Sequence, residues 1–312
     1  MFNLQEELKK VRVAPAIVFG GLALFPLIRK EAIARGYATL SEAFSKNGVK
    51  ISEISEGGSV PELRFKNLLD QDIFAADGET LLGAKQNRVL NSSIFVGAGE
   101  EIIVPVSCVE QGRWGYNKRH FEASAYSEFV PSRAAKMASV SASLKAGGAS
   151  RLSDQGAVWH AVAQKGMEFG ACSPTGSMAD IYDAKQHTLD EYVRNFRVQP
   201  GQVGISCAVD GDLCGIELFE ETGVLAEFLP KLVRSYAAEV LGRDGVPTTV
   251  PDRVAVRTLL RKLRDADLDK YAAVGKGTEL RFSLGRLHGS ALAVGERLIH
   301  LVLLRNKGRR SS

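Results

Sequence analysis

Strand-like segments are concentrated towards the two ends of this chain, and that distribution constrains its fold more than any other feature. The first 130 residues consist mainly of short apolar or alternating runs separated by glycines and polar turns, a pattern typical of β-strands. Helical spacing dominates the middle, and alternation returns near the end. This order predicts an α+β fold with a β-rich N-terminal half, a helical middle, a hairpin and a C-terminal β-meander, because α/β proteins alternate strands with helices instead.

Local signals define the individual elements. Thr39 and Glu42 form a capping-box pattern, which predicts a short helix there. Asp77-Gly78 and Asp210-Gly211 each predict a hairpin turn. The predicted strands are 12–28, 50–55, 63–67, 72–76, 89–97, 101–108, 121–130, 203–209, 212–219, 278–284, 290–294 and 298–304. The predicted helices are 131–144, one capped by Ser153, one capped by Ser177, one that restarts at Thr188, one with a buried stripe over 225–240, and 252–265.

Length and composition fit one integrated globular fold. The chain has 312 residues, of which 45% are hydrophobic and 24% are charged, and this is the usual balance of a globular protein with a sizeable core. No Pro- or Gly-rich linker interrupts the chain. We therefore expect a single domain over residues 1–304 and a basic tail over 305–312, with two closely joined halves that divide near residue 130 as the alternative.

The same totals exclude several protein classes. No run of about eighteen apolar residues occurs, so we expect no membrane span. Glu6 and Glu7 stand where a secretory signal needs basic residues, and the chain has only four cysteines, so we expect a reduced, cytoplasmic protein. Counting across the Asp210-Gly211 turn places Cys207 directly opposite Cys214, as two neighbouring thiols rather than a disulfide.

A polar run that breaks the strand pattern marks the first candidate site. It reads Lys85-Gln86-Asn87-Arg88, with Asn91 three residues further on. A strand alternates its side chains between two faces, so this run interrupts the alternation that a plain core strand needs. Such breaks are expected at functional sites. The alternative is an exposed hairpin arm with a solvated polar end.

A second candidate site follows the predicted strand that ends at Cys108, and it reads Glu110-Gln111-Gly112-Arg113-Trp114. Arg113 offers a planar fork for phosphate or carboxylate, and Trp114 offers a flat face for a base or a sugar. Glu110 could hold a ribose hydroxyl, orient Arg113 or act as a general base. The alternative is a buried Glu110–Arg113 ion pair with Trp114 in the core.

Other reactive side chains give weaker signals. Asp77 and Glu79 flank a glycine, so they are either acid–base groups or ordinary turn residues. No sequence pattern pairs a histidine with Cys108, so we expect an inert thiol. The histidines and cysteines also lack the spacing of metal ligands, so we expect no metal site. Arginines recur at helical spacing over residues 253–264, close to several aspartates. We interpret them as a solvated helix face and do not expect a nucleic-acid partner.

The two polar motifs resemble those of a known family. Gly83-Ala84-Lys85-Gln86-Asn87-Arg88 and Pro105-Val106-Ser107-Cys108-Val109-Glu110-Gln111-Gly112-Arg113-Trp114 look like motifs of the ARG and Rhodanese-Phosphatase-superfamily-associated Protein domain, in which ARG stands for ADP-ribosylglycohydrolase. Shorter matches are Phe25-Pro26-Leu27, residues 40–44, Val60-Pro61-Glu62-Leu63, and Asp154-Gln155 with Trp159. The similarity runs from about residue 10 to about residue 240.

The resemblance implies a biological context for the protein but no catalytic mechanism. Members of the family are associated with ADP-ribosylglycohydrolases and phosphatase-like proteins, and a role in prokaryotic nucleotide-linked conflict or defence systems has been suggested. An ADP-ribose- or NAD-related ligand is implied only by that association. The family supplies no established catalytic residues and no cofactor.

Three functions are consistent with these residues. The first is a binding domain for a phosphate-containing nucleotide, whose expected contacts are Lys85, Gln86, Asn87, Arg88, Asn91, Gln111, Arg113 and Trp114. The second is a hydrolase of an ADP-ribose-type linkage, in which Glu110 or Asp77 activates water, with or without a divalent ion. The third is a structural interaction module in which the motifs form a buried polar network. A protein partner stays open in each case.

Overall fold

The computed structural model of the chain describes residues 2–31, 33–116, 118–148, 151–241 and 249–306. Its order of elements confirms the predicted α+β class. The helices are α1 (Leu4–Lys9), α2 (Leu40–Ser45), α3 (Val130–Lys145), α4 (Gln155–Phe169), α5 (Met178–Asp183), α6 (Gln186–Asn195), α7 (Thr222–Ala237) and α8 (Arg253–Arg264). The strands are β1 (Val11–Val13), β2 (Ile17–Phe19), β3 (Leu22–Arg29), β4 (Tyr37–Thr39), β5 (Val49–Ser52), β6 (Glu62–Asn67), β7 (Asp72–Ala75), β8 (Glu79–Gly83), β9 (Arg88–Leu90), β10 (Ile94–Val96), β11 (Glu101–Cys108), β12 (Phe121–Ser127), β13 (Gln202–Val209), β14 (Asp212–Phe219), β15 (Asp269–Ala272), β16 (Thr278–Leu284), β17 (Leu287–Val294) and β18 (Arg297–Arg305).

The chain forms two compact units, each assembled from separate stretches of sequence. The first comprises Met1–Arg35, His187–Tyr271 and Thr278–Ser312, and the second comprises Gly36–Gln186 and Ala272–Gly277. Residue 130, near which we expected a subdivision, lies inside the second unit. Most of the expected basic tail, residues 307–312, lies outside the described residues. In the part of the chain that the structure describes, no helix is both long and apolar enough to span a bilayer.

A nine-stranded sheet forms the frame of the first unit, in the order β1-β3-β13-β14-β18-β17-β16-β15 with β2 also paired to β3. Side chains alternate along each strand, so Phe25 and Leu27 enter one core. Helices α1 and α8 bury Leu8 and Leu260 in that core. Helix α7 packs against β13 and β14, and its Phe228 stacks on Phe219 with the ring centroids 4.8 Å apart.

The second unit contains two smaller sheets around a shared apolar core. The larger runs β12-β8-β9-β11-β6-β5 and the smaller β10-β7-β4. Phe65, Leu81 and Ile94 are fully buried where their apolar side chains meet, and each such residue stabilises the unit by about 1.5–3 kcal/mol. Helices α3, α4 and α5 follow the last strand of the larger sheet, and α4 packs against β11.

The hairpin predicted at Asp77-Gly78 is wrong. Strand β7 pairs with β4 and β10, whereas β8 pairs with β9 and β12 in the other sheet. The turn therefore carries the chain from one sheet to the other, because local turn chemistry does not determine which strands pair. The strand predicted over 89–97 is likewise two strands, β9 and β10, which belong to different sheets.

The hairpin of β13 and β14 is confirmed, but the predicted pairing of its cysteines is wrong. Cys207 lies opposite Gly215 because the register shifts between Cys207 and Ala208. An irregularity of this kind moves one strand past the other by a residue, which counting across the turn cannot detect. All four cysteines are free, in agreement with the expected absence of a disulfide.

Helix caps agree with the sequence in part. The capping box of Thr39 and Glu42 is present at the start of α2. Helix α4 is capped by Asp154, whose carboxylate accepts a hydrogen bond from the backbone N–H of Ala157, rather than by the predicted Ser153. Thr188 lies inside α6 and does not begin it, so the helix start predicted there is wrong.

Candidate functional site

Strand register brings the two polar motifs together in the second unit. Strands β9 and β11 are antiparallel neighbours, with Arg88 opposite Cys108. In such a pair, the segment that precedes one residue lies beside the segment that follows its partner. The run 85–88 therefore meets the segment 110–114, and hydrogen bonds connect the two. The sequence spacing alone could not show this contact, because it depends on the pairing of strands.

Glu110 is held by four hydrogen bonds. Its Oε1 accepts from Arg113 Nε at 2.9 Å and from the Thr175 hydroxyl at 2.8 Å. Its Oε2 accepts from Arg113 Nη2 at 2.7 Å and from the backbone N–H of Asn87 at 3.0 Å. Burial by itself would raise the pKa of this carboxyl, but the hydrogen bonds from Arg113, Asn87 and Thr175 outweigh it and leave the pKa below its ordinary value. Glu110 is thus a buried, ionised anchor.

The guanidinium group of Arg113 donates its hydrogen bonds to other groups of the protein. Beyond Glu110, its Nη1 donates to the carbonyl oxygens of Ala84 at 2.6 Å and Gly115 at 2.9 Å. Its Nη2 donates to Gly83 O at 3.3 Å. Ala84 has a φ of 42°, a left-handed conformation that costs a non-glycine residue about 1–3 kcal/mol. The Glu110–Arg113 pair therefore fixes a strained turn, and the ion pair considered from the sequence is present.

Trp114 and Tyr116 form the accessible part of the site, and the largely buried Lys85 lies beside them. Trp114 is 51% exposed, and Tyr116 is equally exposed, so the alternative of a core tryptophan is wrong. The ammonium of Lys85 lies 5.2 Å from the Trp114 ring centroid and 5.3 Å from that of Tyr116. It donates one hydrogen bond, 2.8 Å long, to the carbonyl of Gly57. The result is a cation between two half-exposed aromatic rings.

Arg88 is completely buried and incompletely paired. Its Nη1 donates to Gln86 Oε1 at 3.1 Å, while its Nε and Nη2 have no hydrogen-bond partner among the described residues. The nearest carboxylate is Glu53, with Oε1 at 3.9 Å from Nη2, and Glu53 Oε2 likewise has no hydrogen-bond partner in the described part of the chain. Burial lowers the pKa of Arg88, and neighbouring carboxylates counteract it only in part.

Cys108 has a structural environment. Its thiol donates to Gln86 Oε1 at 3.2 Å, and its backbone N–H and C=O pair with the side-chain amide of Gln155, both at 2.8 Å. Burial raises the pKa of the Cys108 thiol above its ordinary value. A nucleophilic cysteine needs the opposite shift. These contacts support the inert thiol expected from the sequence and give Gln155 a clear structural role.

Asn91 and Asp77 contact other parts of the unit. Asn91 accepts from the Ser107 hydroxyl at 2.6 Å and donates to Arg151 O at 3.0 Å. Asp77 Oδ1 lies 3.0 Å from Arg133 Nε and 3.5 Å from Lys136 Nζ. No hydrogen bond or ion pair of the described residues joins Asp77 to Glu110, so the two carboxylates belong to different polar networks.

Gln111 lines a cleft on another side of the same loop. The cleft has a volume of about 380 Å³ and is walled mainly by apolar side chains of α4, including Trp159 and Met167. Its remaining wall comes from residues 170–176 and from Ile181 on α5. Among the described residues, no cluster of histidine, cysteine, aspartate or glutamate side chains could hold a metal ion.

Several contributors to the site were missed in the sequence. Glu53 follows a strand that reads as ordinary alternation, and no motif distinguishes it. Thr175 lies in a Ser/Thr/Gly loop without a pattern, and its contact with Glu110 depends on tertiary structure. Tyr116 did carry a signal, because aromatic residues two apart, as with Trp114, lie on the same side of an extended segment.

Comparison with known proteins agrees with this pattern of motifs. The sequence model of the ARG and Rhodanese-Phosphatase-superfamily-associated Protein domain matches residues 10–304. The match therefore continues well beyond residue 240, where the recognisable motifs ended, and it covers segments of both compact units. No curated protein matches the chain, and no solved structure matches it. The chain belongs to the ARG and Rhodanese-Phosphatase-superfamily-associated Protein domain family.

Proposed function

We propose that the second unit binds a phosphate-containing nucleotide of the ADP-ribose or NAD type. The observation that carries this proposal is the ammonium of Lys85 between the half-exposed rings of Trp114 and Tyr116. The association of the family with ADP-ribosylglycohydrolases supports the ligand class, and it also suggests a prokaryotic conflict or defence pathway. The free cysteines support a cytoplasmic setting.

The aromatic pair suits the base of such a ligand. An exposed aromatic face loses contact with water when a base stacks on it, and this stacking contributes about 1–3 kcal/mol per base. Large aromatic side chains are usually buried, so two rings that are each 51% exposed and share one cation are unusual for a surface. Stacking is tolerant of base identity, and we therefore assign these rings affinity rather than selectivity.

Lys85 is the cation best placed to meet phosphate. An ammonium has three N–H donors, and only one of them bonds to a residue in the described part of the chain. Arg113, which we expected to bind phosphate, already donates to Glu110 and to backbone carbonyls. We therefore assign the phosphate contact to Lys85 and a structural role to Arg113, while buried Arg88, with its guanidinium carbon 5.9 Å from the Trp114 ring centroid, contributes positive potential.

Titration calorimetry with ADP-ribose and NAD tests the proposal. Trp114→Ala should weaken binding by about tenfold, since it removes one stacking contact. Lys85→Met, which keeps the aliphatic stem, should weaken phosphate-containing ligands but leave adenosine unchanged. Leu68→Ala and Lys118→Met are matched controls, because both residues are exposed in the same unit, and they should bind like the unaltered protein. Absence of heat with either ligand, or equal loss in the controls, refutes the proposal.

The hydrolase alternative receives less support from the geometry. Both oxygens of Glu110 are already occupied by hydrogen bonds, so the group is poorly placed to take a proton from water. Asp77 lies in a buried network with Arg133 and Lys136. Chromatography of ADP-ribose and NAD after incubation with the protein separates the alternatives: turnover that Glu110→Gln abolishes would favour catalysis.

A further inference from the structure

Helix α8 of the first unit has one apolar face and one strongly basic face. Its apolar residues Val256, Leu259, Leu260 and Leu263 are buried in the core of that unit. This packing fixes the rotation of the helix about its own axis, because turning it would expose all four. The basic side chains on the remaining surface are Arg253, Arg257, Arg261, Lys262 and Arg264.

Helix α8 is a local concentration of positive charge. It carries five basic residues without an acidic one, whereas the formal net charge of the chain is +4. These five residues lie along about 16 Å of the helix axis. The net charge alone does not reveal such a local concentration.

The basic face has no internal neutralisation. None of the five side chains forms an ion pair or hydrogen bond with any residue in the described part of the chain. Asp265 and Asp267, two of the three aspartates that follow the arginines in the sequence, form no ion pair with it there. Like charges at i,i+4 destabilise a helix by about 0.2–0.5 kcal/mol per pair, and this repulsion opposes the favourable interaction of the last-turn cations Arg261, Lys262 and Arg264 with the helix dipole.

We propose that α8 binds the phosphodiester backbone of a nucleic acid. Four arginines within one helix face match a polyanion whose phosphates recur about every 3.4 Å along each strand. A membrane surface fits less well, because a helix that lies in a bilayer interface inserts bulky apolar side chains, and every leucine of α8 points into the protein core. Among large apolar residues of this helix, only Val254 is exposed.

Fluorescence anisotropy with labelled duplex DNA and duplex RNA of the same sequence tests this proposal. Backbone recognition predicts binding of at least one duplex without sequence preference. With three to four phosphates neutralised, the logarithm of affinity should fall against the logarithm of salt with a slope of about −3. Affinity should then decrease by roughly 50- to 100-fold between about 50 and about 200 mM KCl.

Two charge-reversal variants isolate the contribution of α8. Arg257→Glu with Arg261→Glu reverses two exposed charges of the helix, whereas Lys46→Glu with Lys50→Glu makes the same change in net charge at exposed positions of the second unit. The first should weaken binding more than tenfold and reduce the magnitude of the slope by about two. The second should change affinity less than twofold. If the arginine variant fails to fold, Arg257→Gln with Arg261→Gln, set against Lys46→Gln with Lys50→Gln, provides the same comparison.

The outcomes separate this site from the proposed nucleotide site. Equal loss in both variants would reveal only general electrostatic attraction and overturn the proposal. Absence of duplex binding at low salt would overturn it as well, as would binding to phosphatidylserine vesicles in place of duplex. Binding of ADP-ribose by the second unit is measured independently, so neither result decides the other.

Discussion

At the scale of single residues, the candidate site separates side chains that hold the structure from side chains that can meet a ligand. Glu110 and Arg113 use nearly all their hydrogen-bonding groups within the protein. Trp114 retains exposed surface, and the ammonium of Lys85 has N–H donors that no described residue uses. Residue types alone did not reveal this division, because a glutamate and an arginine three apart are compatible with either role.

We expect Glu110→Gln to lower the free energy of unfolding by about 2 kcal/mol at neutral pH, since it replaces charge-assisted hydrogen bonds by weaker ones. Urea unfolding of the variant and of the unaltered protein measures the difference. Glu62→Gln is the control, because Glu62 is exposed on β6, and it should leave stability within about 0.5 kcal/mol. A loss of similar size in both variants would contradict a buried anchor at Glu110.

The same pair of proteins should show a pH dependence of defined sign. The pKa of Glu110 is lower in the folded protein than its ordinary value. The ionised carboxylate therefore stabilises the fold fully above the unfolded-state pKa of about 4.3, and this contribution is lost as the pH falls through the folded-state value. The difference between Glu110→Gln and the unaltered protein should shrink below about pH 4. A difference that grows in acid would contradict this assignment.

How much of the site the sequence predicts differs from residue to residue. The run 85–88 interrupts the strand pattern in the sequence, and residues 85–87 lie in the connection between β8 and β9, so that only Arg88 belongs to a strand. Trp114 was considered either as a stacking face or as a core residue, and its exposure rules out the second, which the sequence could not decide because burial depends on tertiary packing. Glu53 was missed for the same reason: its neighbour Arg88 lies far along the chain and reaches it only in the folded unit.

At the scale of elements, the turn at Asp77-Gly78 shows why local signals gave the correct turn but the wrong pairing. Gly78 has a φ of 80°, as the sequence suggested for a tight turn. The strands on either side join different sheets, because their apolar residues find separate partners. Long, strongly alternating segments such as β11 and the final meander were predicted with nearly correct bounds, since their own periodicity defines them.

We expect Gly78→Ala to cost about 1 kcal/mol more stability than Gly285→Ala. Both glycines have a left-handed φ, so both substitutions introduce backbone strain. A Cβ at Gly78 would also lie 2.7 Å from Cδ and Nε of Arg133, whereas a Cβ at Gly285 would meet nothing within 4 Å. Thermal unfolding of the two variants measures the difference. Equal losses would show that Arg133 moves aside without cost.

At the scale of the whole molecule, the two units have separate apolar cores. The first contains Leu301 and the second contains Leu63, and both side chains are fully buried. The sequence did not predict this division, because each unit combines segments that are distant along the chain. Only long-range contacts define such units, and no composition change or linker marks their boundaries.

Because the two cores are separate, the same Leu→Ala substitution in each unit should affect different spectroscopic signals of unfolding. Leu63→Ala and Leu301→Ala each remove the same atoms from a fully buried position, at a cost of about 2–5 kcal/mol. Both tryptophans, Trp114 and Trp159, belong to the second unit. Guanidinium unfolding followed by tryptophan fluorescence should therefore shift more for Leu63→Ala, while circular dichroism should respond to both. Identical shifts in fluorescence would show that the chain unfolds as one cooperative unit.

The nine-stranded sheet has a consequence for synthesis on the ribosome. Strand β3 ends at Arg29, whereas its neighbour β13 and the next strand β14 follow only after residue 200, and β18 ends at Arg305. At about 5–20 residues per second, the N-terminal strands wait roughly ten to sixty seconds for the last of the sheet. Nearly all of the second unit emerges during that interval, so it can fold while the first is still incomplete.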